Sequence, residues 1–117
     1  MLFVGGAGTL LQHAGGPLQI ESPHFPKEYE GEARAHVEAL DYLRSLSPDD
    51  GLRWSSLTPP PMISPGERTG NFALGDDVLL GFSVSAEDYA VAAIDELEAP
   101  KHEQARFVVA HQTPAAA

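Results

Sequence analysis

The chain opens on an unbroken apolar run, Leu2-Phe3-Val4, that stops at Gly5-Gly6-Ala7-Gly8. A short all-apolar segment is what a strand in the middle of a parallel sheet, covered on both faces, requires. A loop with Gly15-Gly16-Pro17 follows, and Leu18-Gln19-Ile20-Glu21 alternates, predicting a short strand. Pro23 and Pro26 bracket a turn. From about residue 28 or 31 to 46 the period changes: Ala33, Val37, Leu40, Leu43 and Leu46 recur at helical spacing, with Arg34, Glu38 and Asp41 on the other face. Ser47-Pro48-Asp49-Asp50-Gly51 ends that helix with strong breaker chemistry.

Residues 53–57 read as a strand stopped by Pro59-Pro60-Pro61, and residues 62–70 as a long loop. Residues 71–74 and 78–84 flank Gly75-Asp76-Asp77, which predicts a hairpin. Ser85 and Asp88 form an N-cap pair opening a helix through Leu97, with a stripe of Tyr89 or Ala90, Ala93, Ile94 and Leu97. Pro100 closes it. Residues 106–110 read as a last strand, and 112–117 as a frayed, disordered tail. Strands separated by helix-length gaps predict an α/β class with a largely parallel sheet in one domain over residues 1–111.

Composition narrows the function classes. Seven basic residues against seventeen acidic give 117 residues a net charge of −10, which repels nucleic acid and anionic membrane surfaces. The absence of cysteine excludes disulfides, thiolate catalysis and cysteine-held metals. No apolar run approaches the roughly 20 residues that cross a bilayer, and the apolar start lacks the charged flank of a signal peptide. A cytoplasmic location is the expectation.

The glycine cluster is the first candidate for chemistry, because bare backbone lets a ligand approach closely. It does not read as a first-strand dinucleotide fingerprint: the third glycine would fall at Leu11, and six residues from Gly8 to Gly15 cannot hold a crossover helix. Two readings stay open, a tight turn between sheet elements and a loop at the carboxyl end of a later strand lining a cofactor crevice. Histidines 13, 24, 36, 102 and 111 lack metal-ligand spacing and read as scattered surface residues; no metal site is expected. Asp49-Asp50 and Asp76-Asp77 sit in turns, where aspartate serves local hydrogen bonds. Ser55-Ser56 has no nucleophile-elbow glycines, and Trp54 reads as core.

Four stretches taken in order carry a resemblance. They are Phe3-Val4-Gly5-Gly6-Ala7-Gly8-Thr9-Leu10; Phe25-Pro26-Lys27-Glu28-Tyr29 with the helix after it; Trp54-Ser55-Ser56-Leu57-Thr58-Pro59-Pro60 with Pro65-Gly66-Glu67-Arg68-Thr69-Gly70; and Ser85-Ala86-Glu87-Asp88-Tyr89-Ala90-Val91-Ala92, continuing to Arg106-Phe107. Together they resemble the C-terminal half of an atypical short-chain dehydrogenase/reductase, of the NAD(P)H-binding, NmrA-like and epimerase-like group. The resemblance implies a partial Rossmann-like domain for NAD or NADP that lacks the first βαβ units. It implies that Gly5, Gly6, Ala7 and Gly8 face the cofactor and that Thr58, Pro59 and Pro60 pass near the nicotinamide; Asp88, from its place in the capping pair, reads as a structural capping-turn carboxylate.

Two departures bear on activity. The Gly-x-x-Gly-x-x-Gly turn and the helix that hold the pyrophosphate in that group have no counterpart in these residues, so weak or no cofactor binding by this chain alone is expected. The Tyr-x-x-x-Lys pair is also missing: Tyr29, Tyr42 and Tyr89 are followed four places on by Ala33, Leu46 and Ala93. Tyr29 is left as the catalytic candidate, with a surface or packing tyrosine as its alternative. The expected function is that of an NAD(P)-binding oxidoreductase or epimerase-like protein. The alternative is a non-enzymatic cofactor-sensing or regulatory module that completes its sheet by self-association into a homo-oligomer.

Overall fold

The computed structural model describes residues 1–47, 49 and 51–111; the expected tail at 112–117 lies outside the described residues. Strands β1 (Leu2–Val4), β2 (Ser55–Thr58) and β6 (Ala105–Ala110) run parallel, and β4 (Ala73–Gly75) pairs antiparallel with β6, giving the order β1-β2-β6-β4. A separate ribbon pairs β3 (Met62–Ser64) with β5 (Ser83–Ser85) in parallel. Helix α1 spans Glu30–Ser45 and α2 spans Ala86–Glu98. The class is a mostly parallel, Rossmann-like α/β sheet.

The period-two alternation of the strands sends successive side chains to opposite faces. Leu57, Phe107 and Val109 pack with Val84 and with Ala92 of α2, and Leu2, Phe72, Tyr89 and Ala93 close the margin. A second cluster joins Trp54 to Leu40 and Leu43 of α1, with Phe3 and Leu46 against it. The helical stripe read from the sequence is therefore the buried face of α1, and Trp54 is core. Among the described residues β1 ends the sheet, and Val4 is 56% exposed beside that edge.

Four elements differ from the sequence reading. Residues 18–21 form a 3₁₀ turn at Gln19–Glu21 instead of a strand, because the Glu21 carboxylate accepts the Leu18 N–H at 2.9 Å and closes the turn on itself. The loop read at 62–70 begins with strand β3. No hairpin forms at Gly75-Asp76-Asp77: the chain after β4 pairs with the segment at Leu11, through Leu11 N–H to the Asp77 carbonyl at 2.8 Å and Leu79 N–H to the Leu11 carbonyl at 2.8 Å. β5 then joins β3.

The buried face of α2 is also turned by about one residue. Asp88, Ala92 and Glu96 are buried, while Ile94 and Leu97 face outward. Both buried carboxylates have donors waiting for them, which is what allows charged groups to take core positions.

Candidate functional site

A cleft of about 810 Å³ opens at the carboxyl ends of β1 and β2. Its floor is Gly5, Gly6, Ala7 and Gly8 following β1, and one wall is Pro59, Pro60 and Pro61 following β2. Crevices of this size, at the carboxyl ends of strands in an open α/β sheet, are where such folds hold ligands. Ile63 of β3 and Phe82 before β5 bring the ribbon to the rim, and Phe25 joins them.

The glycines answer a packing demand. A Cβ on Gly5 would fall 2.8 Å from Thr58 Oγ1, one on Gly6 2.8 Å from the His36 ring, and one on Gly8 2.8 Å from Ala33 Cβ. The loop therefore lies flush on β2 and α1, and the cleft receives bare backbone. Among the described residues, the N–H groups of Gly6, Ala7 and Gly8 have no protein acceptor, whereas the Gly5 N–H donates to the Leu57 carbonyl at 2.9 Å. Such a floor suits the close approach of a flat ring with polar substituents, so the residues present fit the nicotinamide end of a dinucleotide.

The expected site residues are not all together. Gly5 to Gly8, Pro59, Pro60 and Tyr29 line the one cleft, but Thr58 is buried beneath it and does not. Tyr29 stands at the mouth, 55% exposed. No lysine lines the cleft. Tyr89 offers no substitute: its hydroxyl donates to the Leu57 carbonyl at 2.7 Å, and burial pushes its phenol above the ordinary value.

Helix α1 carries Glu32, Ala33 and His36 at helical spacing along the cleft, and Tyr29 precedes its first residue. The His36 side chain is three-quarters buried, its ring edge-on to Phe3 at 6.1 Å between centroids. Its Nε2 lies 3.8 Å from Glu32 Oε1, too long for a hydrogen bond.

Beneath the floor lies Arg106, 4% exposed. Its Nη1 donates to Thr9 Oγ1 at 2.8 Å and its Nη2 to the Thr9 carbonyl at 3.2 Å. Its Nε donates to Asp77 Oδ1 at 3.0 Å, and Arg44 meets the same oxygen at 2.6 Å. Burial acts to raise the Asp77 carboxyl, but the Arg106 and Arg44 contacts outweigh it and hold the group low. Asp77 thus forms long-range ion pairs, not the local turn bonds read from the sequence.

The motif at residues 65–70 is clamped to the start of α2. Asp88, wholly buried, accepts the Thr69 hydroxyl at 2.6 Å and the N–H groups of Thr69 and Gly70 at 2.9 and 3.0 Å. Ser85 caps the helix by accepting the Asp88 N–H at 3.1 Å, as expected, but the Asp88 carboxylate binds the loop and not the cap. His111 Nε2 lies 2.7 Å from Asp88 Oδ2. Burial would raise this carboxyl; the donated bonds prevail and keep it well below the usual carboxylate range.

Glu96 repeats the pattern. Burial opposes its charge, but His102 Nδ1 at 2.7 Å and the Lys101 and His102 N–H groups at 2.8 Å lower it. Three of the five histidines, His36, His102 and His111, are partly buried and packed or bonded to named partners, whereas the sequence read all five as scattered surface residues. Glu32, one helical turn before His36, was the one local signal; Glu96 and Asp88 lie 6 and 23 positions from His102 and His111. Among the described residues no group of side chains suits a metal ion, and no helix is long and apolar enough to cross a membrane.

No protein-family description matches the chain. The chain is similar to YwnB, an uncharacterized protein of Bacillus subtilis (strain 168), 39% identical over 116 residues that take in 93% of this chain and 53% of that protein. A Burkholderia pseudomallei structure, provisionally called an exported protein, shares 36% identity at a TM-score of 0.85, over 94% of this chain and 54% of that one. A Bacteroides thetaiotaomicron structure, provisionally called an epimerase, shares 35% at 0.86, over 97% and 54%. A Streptococcus pneumoniae structure, provisionally called an NADH-flavin reductase, shares 30% at 0.84, over 95% and 55%. The chain spans about half the length of the relatives it matches.

Proposed function

We propose that this chain carries the nicotinamide side of an NAD(P)-binding site of the oxidoreductase or epimerase-like kind, corresponding to the C-terminal half of an NmrA-like, atypical short-chain dehydrogenase. The observation that carries the reading is the cleft at the carboxyl ends of β1 and β2, floored by Gly5 to Gly8. The Bacteroides and Streptococcus neighbours, named for an epimerase and an NADH-flavin reductase, support it. A bound nicotinamide would supply hydride exchange. The chain's own part is to hold the ring on the glycine floor and to exclude water with Pro59, Pro60 and Ile63.

These 117 residues contain no Gly-x-x-Gly-x-x-Gly turn. The pyrophosphate and adenine ends therefore gain little from this chain, and affinity for NADH or NADPH is expected to be weaker than about 100 μM, short of the −8 kcal/mol or so of a micromolar complex. Calorimetry measures the affinity, and backbone NMR with millimolar NADH maps the site. Shifts centred on Gly5 to Gly8 and Ile63 support the reading; shifts elsewhere, or none, overturn it. Micromolar binding would overturn the weak-affinity part alone.

A second reading rests on the open edge of β1. An unpaired edge with an exposed apolar residue is a template for strand addition. A non-enzymatic module that completes its sheet with a second copy would run as a dimer in size-exclusion chromatography with light scattering, and a Val4→Lys change would return it to monomer. A wild-type monomer at high concentration rejects this second reading.

A further inference from the structure

The cleft lacks the Tyr-x-x-x-Lys pair, and Tyr29 stands at its mouth in water. What remains inside it is His36. Among the described residues, His102 and His111 are engaged by Glu96 and Asp88, His13 Nδ1 lies 3.4 Å from the Ala14 carbonyl, and His24 is exposed at the rim. His36 has no hydrogen-bond partner on either ring nitrogen among the described residues, yet its side chain is three-quarters buried and lines the cleft. Its ring lies directly on the Gly6 backbone, in the space that any side chain at position 6 would take. A ring fixed on one side by that backbone and on another by Phe3, with both nitrogens unused, is held in place for a ligand that is not protein.

We propose that His36 is the proton-donating residue of the cleft, acting on the carbonyl oxygen of a neutral substrate lying over the glycine floor. Imidazole both gives and takes a proton near neutrality. Glu32, one helical turn away, stands 3.8 Å from Nε2, a distance that leaves Nε2 free to donate. As the carbonyl carbon is reduced, the Nε2–H bond breaks with its electron pair left on the ring, and an O–H bond forms on the substrate. The new C–H bond at the carbonyl carbon is formed by hydride, a hydrogen with two electrons, from a dihydronicotinamide that is thereby oxidised to the nicotinamide cation; the inference therefore rests on the reading above. The acidic net charge disfavours anionic substrates, and a lining mostly of glycine, proline, phenylalanine and isoleucine disfavours any charged one, which leaves neutral carbonyl compounds as the class.

The test uses the full chain with 4-nitrobenzaldehyde as the carbonyl probe and NAD⁺ to fill the floor without reducing it. Imidazole NMR should show the His36 resonance moving with the aldehyde while those of His13 and His102 stay. His36→Phe, which keeps a ring against Phe3, should weaken aldehyde binding about tenfold, as for the loss of a hydrogen bond from a charged donor. His36→Gln, which restores a donor, should return it to within about threefold. A His36 resonance indifferent to the aldehyde, or a His36→Phe affinity equal to wild type, overturns the inference while cofactor shifts at Gly5 to Gly8 keep the underlying reading. If those shifts are missing too, both fall together.

Discussion

Arg106→Leu is expected to cost about 3 kcal/mol of folding stability, read as a lower urea midpoint at unchanged slope. The guanidinium is buried in strand β6 and spans three segments of the chain: the Thr9 turn, the Asp77 segment and Thr58 of β2. Removing one member of a buried, hydrogen-bonded pair costs roughly 3–5 kcal/mol, because the partners keep their desolvation without their bonds. Asp77 is half-exposed and can turn back to water, which places the value at the low end. Leucine fills part of the vacated volume, but it leaves the Thr9 hydroxyl and carbonyl without their donor.

Arg106→Lys keeps the charge and loses the fork. It is expected to recover about half of the loss, since one ammonium cannot face Asp77 and Thr9 together. A cost below about 1 kcal/mol for the leucine variant would show that the buried guanidinium is not what ties the floor of the cleft to the sheet. Thr9 closes the turn that follows Gly6, so the same variant should also broaden the amide signals of Gly6 to Gly8.

Arg106 also shows where sequence reading stops. The strand Arg106-Phe107-Val108-Val109-Ala110 was legible from its apolar run, and so was α1 from its 3.6-residue period. The arginine's partners, 97, 29 and 48 positions away, were not, because nothing local marks them. The same limit explains the hairpin at Gly75-Asp76-Asp77. Local turn chemistry favoured it, but pairing with Leu11 and two arginines on Asp77 drew the chain the other way.

In α2 the apolar stripe pointed to Ile94 and Leu97. The helix instead buries Asp88 and Glu96, which outweigh an exposed isoleucine and leucine once each has three or more donors. The glycine cluster was legible as a place of close approach. Its approach is first to Thr58, His36 and Ala33, and that packing is what leaves the floor bare.

Asp88→Asn is expected to lower the melting temperature by roughly 10 °C at neutral pH and to free the loop at residues 65–70. The carboxylate accepts from the Thr69 hydroxyl, the Thr69 and Gly70 N–H groups and His111. An amide in its place has one accepting oxygen, and its NH₂ would point at groups that donate. It also loses a negative charge in the first turn of α2, where the helix dipole favours one.

The pH dependence follows from the direction of the shift. The folded carboxyl lies below its unfolded value of about 3.9, so its contribution is complete above that value and is lost as pH falls toward the folded one. Glu96 acts in the same direction. Wild-type stability should therefore fall steeply below about pH 4, and Asp88→Asn should be less stable at pH 7 with a flatter acid limb. Hydrogen exchange localises the effect, because the Thr69 and Gly70 amides lose protection in the variant at neutral pH and in the wild type at acid pH. The same loop continues from β3, which carries Ile63 to the rim of the cleft, so NADH-induced shifts at Ile63 should weaken in the variant while those at Gly6 persist. Unchanged exchange at Thr69 and Gly70 would mean that the loop is held by Ser85 and Glu87, which bond the Glu67 carbonyl and the Gly66 N–H, and not by Asp88.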